Sequence, residues 1–363
     1  YRSQRTRSAG VAPLSRTLLV MLVEDYDYPL PESAIAQEAI VQRDQAKLLD
    51  TTVMQDRTFF DLPSLLNAGD LVVVNETRVR SARLIGTRTT GGTTEVLLTR
   101  RIDHERWQAL IKPAKKVASG SLIQAEGIDI TLVTNPVDGV ATVTCVAADD
   151  GDIEAAIDAI GIMPLPPYFH GTLVDPSRYQ TMFAATVGSA AAPTAALHFT
   201  PEVVSSLVDR GVSIAKVDLQ VGLDTFRPMD QGSDGLAAVE DHRIHSEWVK
   251  VPQATVDAVV RTRSGGGKVV AIGTTVVRSL ESASVGDGLI GTYDGETDLF
   301  ILPGYEPRVV DALVTNFHAP RTTLLVLIAS LIGDRWRQVY EHALQHDYRF
   351  LSFGDAMYIE VER

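Results

Sequence analysis

The sequence has one cysteine, Cys145, in 363 residues. A lone thiol excludes an internal disulfide framework and cysteine-ligated zinc, and it fits a reducing compartment, so a cytoplasmic setting is expected. Apolar runs of about 18 uncharged residues are also missing, so a membrane-spanning helix is not expected. A basic excess is missing too: 33 Lys and Arg face 46 Asp and Glu, a net charge of −13. That balance argues against avid, salt-driven RNA binding while leaving room for a local basic patch. Internal repeats and low-complexity tracts are absent as well.

What is present reads as an ordinary globular chain, 45% hydrophobic and 22% charged, with a length that suggests two domains. The basic start followed by "LLVMLV" imitates a signal peptide. The apolar run is short, however, and Glu24 and Asp25 stand where small cleavage-site residues belong. A flexible extension over residues 1–20 and a strand over 18–23 are expected instead, with Met21 a candidate start. "ESAIAQEAIVQRD" reads as a helix, and "DLPSLL" as a short helical piece with Asp61 as N-cap.

From Asp70 to Val146 the texture is short β-branched runs split by turn residues, which predicts a compact antiparallel barrel or sandwich. From "GDIEAAIDAIG" onward strands and helices alternate, as in an α/β domain with parallel neighbours. The β-only block, placed at 67–150, therefore interrupts an α/β domain built from 21–66 and 151–363.

Chemistry concentrates in a few segments. "GDGLIG" has dinucleotide-loop spacing, but a helix precedes it and turn residues follow, so it reads as a surface loop. "KVVAIGTTVVRSLES" runs an apolar strand into Gly273, Thr274 and Thr275 and then a helix carrying Arg278; strand ends of this kind bind ligands in α/β folds, or simply turn. Histidines fall in "LHFT" (His198), "DHRIHSEW" (His242, His245) and "TNFHAP" (His318), each beside polar neighbours that suit proton transfer. His-x-x-His lacks a third ligand, and no metal is expected. Arg78, Arg227, Arg278 and Arg321 suit carboxylate or phosphate. "MPLPPY" is a stiff strap that presents Tyr168 in a fixed place. "VGSAAAPTAALHFT" is a long stretch of small residues, which lets something approach closely.

These segments, together with "DYDYPLP", "GDLVVVNETRVRSARLIG", "YQTMFA", "VGLDTFRP", "TDLFILPGY" and "FGDAM", occur in an order that resembles the S-adenosylmethionine:tRNA ribosyltransferase-isomerase family over about Leu22 to Ile359. The resemblance implies an α/β barrel-like domain with an inserted antiparallel β-barrel. It implies an enzyme that transfers and isomerises the ribosyl part of S-adenosylmethionine onto 7-aminomethyl-7-deazaguanine at the wobble position of tRNA, releasing adenine and methionine. The same donor acting on a free small molecule is the alternative. This chain departs from the family at Gln220 (usually His), Asp224 (Gly), Ala196 (Gly), Ala190 (Val), and at Ala39, Ala46 and Lys47 (Pro, Ser, Arg).

On that resemblance the small-residue stretch becomes a wall for the nucleoside, with His198 projecting into the pocket. His198 or His245 is expected as base, with Asp298 or Glu247 orienting it and Tyr168 nearby. Thr194, Gly273, Thr274, Thr275, Arg278, Tyr305, His318 and Arg321 are expected to hold S-adenosylmethionine. Arg78, Arg83, Lys112 and Arg227 are expected to meet the acceptor. A monomer is expected, with the tRNA anticodon region as its partner and no membrane.

Overall fold

The structure, a computed structural model, describes residues 20–148, 151–171, 173–222, 228–232, 235–244, 246–286 and 288–361. Most of the expected extension, together with Arg227 and His245, lies outside the described residues. The chain opens with three short 3-10 turns, Val23–Tyr26, Glu32–Ala34 and Arg43–Gln45. Then come β1 (Lys47–Asp50), β2 (Gln55–Thr58), a 3-10 segment (Phe59–Leu65), β3 (Leu71–Asn75) and β4 (Thr77–Val79). Six strands follow: β5 (Arg83–Arg88), β6 (Thr93–Arg101), β7 (Arg106–Lys112), β8 (Leu122–Ala125), β9 (Ile128–Leu132) and β10 (Val140–Ala147).

The rest alternates. It runs α1 (Ile153–Ile160), β11 (Thr186–Ser189), α2 (Pro201–Asp209), β12 (Ser213–Leu219), β13 (Glu247–Val251), α3 (Gln253–Ser264), β14 (Val269–Ile272) and α4 (Thr274–Ser282). It ends with β15 (Ser284–Gly286), β16 (Leu289–Ile290), β17 (Tyr293–Thr297), β18 (Ala312–Asn316), α5 (Thr323–Ile332), α6 (Arg335–Gln345) and β19 (Ala356–Glu360).

Nine strands form one mixed sheet in the order β17-β13-β12-β3-β14-β18-β19-β1-β2. Its centre, β12-β3-β14-β18, is parallel. β5 to β10 close into an antiparallel barrel. The expected α/β fold with an inserted barrel is therefore what the chain forms.

The boundary differs from the expected 67. "LVVVN" is β3, buried at every position, and it pairs with β12 and β14 at the centre of the large sheet. A continuous apolar run is what a strand covered on both faces requires. The barrel strands alternate instead, β10 as "VATVTCVA" with every second residue buried. Their inward residues, among them Leu84, Val96, Trp107, Ile130 and Val143, make a separate core. Closure removes the exposed edges that short strands would otherwise present.

Three local expectations give way to tertiary contacts. The helix expected over "ESAIAQEAIVQRD" is two 3-10 turns, because its backbone pairs elsewhere: Ala36 N–H donates to the Phe350 carbonyl and Phe350 N–H to that of Ala34. Leu22 makes one bridge to Ala238 and no strand, since the chain turns at once into Val23–Tyr26. Asp61 sits at the third position of its segment, where it accepts from the Thr58 backbone N–H at 2.9 Å, and Thr58 is the N-cap. Thr200 caps α2, Pro201 starts it, and Gly211 at φ +80° follows its end.

Candidate active site

Three parallel strands deliver their carboxyl ends to one place, the usual ligand edge of such sheets. Val221 follows β12, Gly273 follows β14, and Asn316 and His318 end or follow β18; all line one small chamber of about 50 Å3. Ala192 to Ala195 from the small-residue stretch form its wall, with Tyr168 and Ser352 also in the lining.

Gly273 has φ +92° and ψ 153°, a conformation essentially reserved for glycine, and it starts α4. Thr274 and Thr275 therefore bring hydroxyls and first-turn N–H groups, which lack acceptors within the helix, to the lining. Gly273→Ala should cost about 1–3 kcal/mol from backbone strain. Thermal unfolding of the variant checks it, and a wild-type midpoint would show that the position is unstrained.

Asn316 is the polar hub. The Thr194 hydroxyl donates to its Oδ1 at 2.9 Å, and its Nδ2 lies 3.3 Å from His198 Nε2 and 3.3 Å from the Asp355 carbonyl. With Nδ2 as donor, His198 Nε2 must accept, which places the ring proton on Nδ1, toward the Arg43 backbone. His198 packs against Phe59 behind the wall, with ring centroids 4.9 Å apart and the planes tilted by 37°. It is buried and, among the described residues, does not line the chamber, so the expectation that it projects into the pocket is corrected. The reason is that the 3-10 turn Thr194–His198 sends Thr194 to the chamber and His198 into the core.

His318 does reach the chamber, where its Nε2 meets the Thr315 hydroxyl at 3.2 Å. Tyr168 is joined to the Ser352 hydroxyl, and burial raises its phenol to about 12.

Burial holds both histidines neutral: it pushes His198 down to about 4, with the Arg349 and Arg43 charges adding, and His318 to about 3. Unfolded histidine takes a proton near 6.5, so their stabilising contribution is present above that pH and is lost as pH falls toward 4. Burial raises Asp218 to about 6, which opposes one histidine between pH 4 and 6. The net expectation near pH 5 is stability falling by roughly 1.4 kcal/mol per pH unit of acidification. Urea midpoints across pH 4.5–7 check it; a flat profile would show that these rings are solvated.

Beyond Val221 and Leu324, which line both spaces, lies a cleft of about 900 Å3. One side is barrel, including Arg100 and Gln108; the other carries Gln220, Glu247, Arg278 and the 242–246 segment through His242, Arg243, Ile244 and Ser246. Arg100 spans the cleft to pair with Glu296 of β17. Glu247 and Arg278 form a buried ion pair; Glu247 accepts the Gly222 N–H at 2.8 Å, and Arg278 Nε donates to the Leu299 carbonyl at 3.1 Å. The cleft is in the size range of small-molecule and nucleoside sites, about 300–1,000 Å3.

A family profile described as "Queuosine biosynthesis protein" matches residues 23–359. The S-adenosylmethionine:tRNA ribosyltransferase-isomerase of Gloeobacter violaceus is 45% identical over 341 residues, covering 93% of this chain and 96% of that one. The enzyme of the same name from Symbiobacterium thermophilum is 45% identical over 349 residues, covering 93% and 100%. The crystal structure of S-adenosylmethionine tRNA ribosyltransferase from Thermotoga maritima covers 92% of this chain and 99% of its own at 33% identity, with a TM-score of 0.52. The chain belongs to the queuosine biosynthesis protein family.

The residues that the family resemblance marked do not all converge. Tyr168, Thr194, Gly273, Thr274, Thr275 and His318 line the chamber, and Glu247 and Arg278 line the cleft. Tyr305 instead donates to Glu281 at 3.0 Å, and that carboxylate also accepts the N–H groups of Arg308, Val309 and Val310. This knot ties a loop to α4. Arg321, at φ +58°, pairs with Asp27 at 3.7 Å. Asp298 is exposed, and no strand follows it; the 298–302 segment lends its Leu299 carbonyl to Arg278 rather than to a ladder.

Arg78 is exposed on β4, Arg83 pairs with Glu95 at 2.7 Å, and Lys112 is exposed at the end of β7. Among the described residues, neither cavity includes these three. His245 and Arg227 lie outside the described residues. The site residues that the sequence reading missed are Asn316 and Ser352. Asn316 stands in "TNFHAP", two residues before His318; Ser352 has no local signal.

Proposed function

We propose that this chain carries out the reaction for which its relatives are named: a ribosyltransferase-isomerase of queuosine biosynthesis that takes S-adenosylmethionine as co-substrate and modifies tRNA. The observation that carries the placement is the pair of joined cavities. The inner one, lined by hydroxyls, an amide and a neutral imidazole, suits part of the donor; at about 50 Å3 it holds a fragment of the nucleoside and no more. The remainder extends past Val221 and Leu324 toward the charged cleft, which admits the acceptor base. The relatives' names do not favour a free small-molecule acceptor.

The sulfonium of the donor acidifies the adjacent C5′ hydrogens, so a base begins the reaction by taking one. His198 is a positioning residue in this scheme, holding Asn316 and through it Thr194. Burial leaves His318 a weak proton acceptor, suited to a neutral hydrogen bond with the donor. His245 is assigned as base; the support is that Ile244 and Ser246 on either side line the cleft. Arg243 and Arg100, with Arg78, Arg83 and Lys112 outside both cavities, are assigned to the tRNA backbone around the anticodon, as is Arg227. A working monomer in a reducing cytoplasm, a setting that suits the lone buried Cys145, completes the reading. No helix among the described residues is long and apolar enough to cross a membrane.

Incubation with S-adenosylmethionine and tRNA bearing the deazaguanine should release adenine and mark the tRNA. Adenine release that ignores tRNA, or none at all, would overturn the reading.

A further inference from the structure

Away from both cavities, the last strand of the large sheet meets the helix that precedes β19. His342 and His346 stand four residues apart on α6, the spacing that puts two side chains on one helix face. Asp56 projects from β2 to meet them. One ligand atom from each of the three lies within 4.8 Å of the others. His342 Nε2 is already 2.9 Å from Asp56 Oδ1, and the two imidazoles lie face to face with centroids 3.9 Å apart. Two ligands on a tetrahedral zinc-sized ion stand about 3.3 Å apart, given metal–nitrogen bonds near 2.0–2.1 Å.

The surrounding bonds prepare the donors. His346 Nδ1 lies 2.8 Å from the His342 carbonyl. Only a protonated Nδ1 can donate there, so Nε2 keeps the free lone pair. The Tyr348 hydroxyl donates to Asp56 Oδ1 at 2.7 Å, the kind of support that fixes a ligating carboxylate. Lys47 Nζ donates to the carbonyls of His346 and Asp347.

We infer that Asp56, His342 and His346 form a site for a divalent transition cation of the zinc, cobalt or nickel class, which clips edge strand β2 to α6. Two imidazoles and one carboxylate suit these ions and not magnesium or calcium, which prefer oxygen. Water completes the coordination, since Asp56 and His346 are exposed. The two sides are 286 residues apart in sequence, so the site exists only in the folded chain and its occupancy should raise the unfolding temperature.

The test is calorimetric titration of EDTA-stripped full-length protein with zinc chloride, alongside thermal unfolding with and without zinc. One equivalent should bind and the unfolding temperature should rise. His342→Ala and His346→Ala should each weaken binding by at least about tenfold and abolish the rise, while His104→Ala, an exposed barrel residue, changes neither. Asp56→Asn, which keeps an acceptor for Tyr348, should weaken binding and serves as the probe if a histidine variant unfolds. Adenine release should be unchanged in all four variants. No binding, or binding that survives His342→Ala and His346→Ala together, would overturn the site.

Discussion

Arg278→Ala should cost about 3–5 kcal/mol of stability, because removing one partner of a buried ion pair strands the other charge. The Arg278 and Glu247 side chains are 8% and 6% exposed, so little water reaches the carboxylate that remains. Glu247 would keep the Gly222 N–H but lose the guanidinium, and the carbonyls of Leu299 and Thr297 would lose the Arg278 donors. The contrast is Arg100→Ala: its pair with Glu296 is 43% and 49% exposed, and exposed pairs contribute about 0–1 kcal/mol. Urea unfolding of the two variants decides the matter; equal losses would mean that the Glu247 pair is solvated in solution. A double change of Glu247→Gln with Arg278→Met should recover much of the loss, since the penalty comes from an unpaired charge and not from the absence of the pair.

His245→Ala should lower turnover by about 10²- to 10⁴-fold, the usual contribution of a positioned general base, while S-adenosylmethionine affinity stays within a few-fold. Proton removal develops in the transition state, so its loss appears in kcat and not in ground-state binding. His198→Ala should behave in the opposite way, with a lower unfolding midpoint from the vacated space beside Phe59 and weaker donor binding through the loosened Asn316 hub. Single-turnover adenine release, with donor titration of each variant, separates the two. Full loss of turnover in His198→Ala with normal stability and affinity would return the base to position 198.

Much of the architecture was legible because local periodicity reports burial. The barrel strands alternate because one face meets a core, and the α/β half alternates strand with helix because each helix covers the sheet. The misplaced boundary at β3 came from the same signal: "LVVVN" is β-branched like its neighbours, and only its lack of alternation hinted at a strand buried on both faces. The helix misread at "ESAIAQEAIVQRD" has good local propensity, but its backbone finds partners at Phe350, more than 300 residues away.

The sequence by itself determined the family, the two-part fold and the segments that carry chemistry, since glycine, proline and small-residue runs act through their own backbone and are readable in place. Which side chains share a cavity was decided only by the tertiary structure. His198 and Thr194 sit four residues apart in one 3-10 turn, yet one faces the core and the other the chamber. Tyr305 and Arg321, set in well-marked motifs, are bound to carboxylates elsewhere, while Ser352 joins Tyr168 across 184 residues. A motif records that a residue matters to the fold or the site; direction comes from packing, which couples distant parts of the chain and leaves no mark in any one stretch of it.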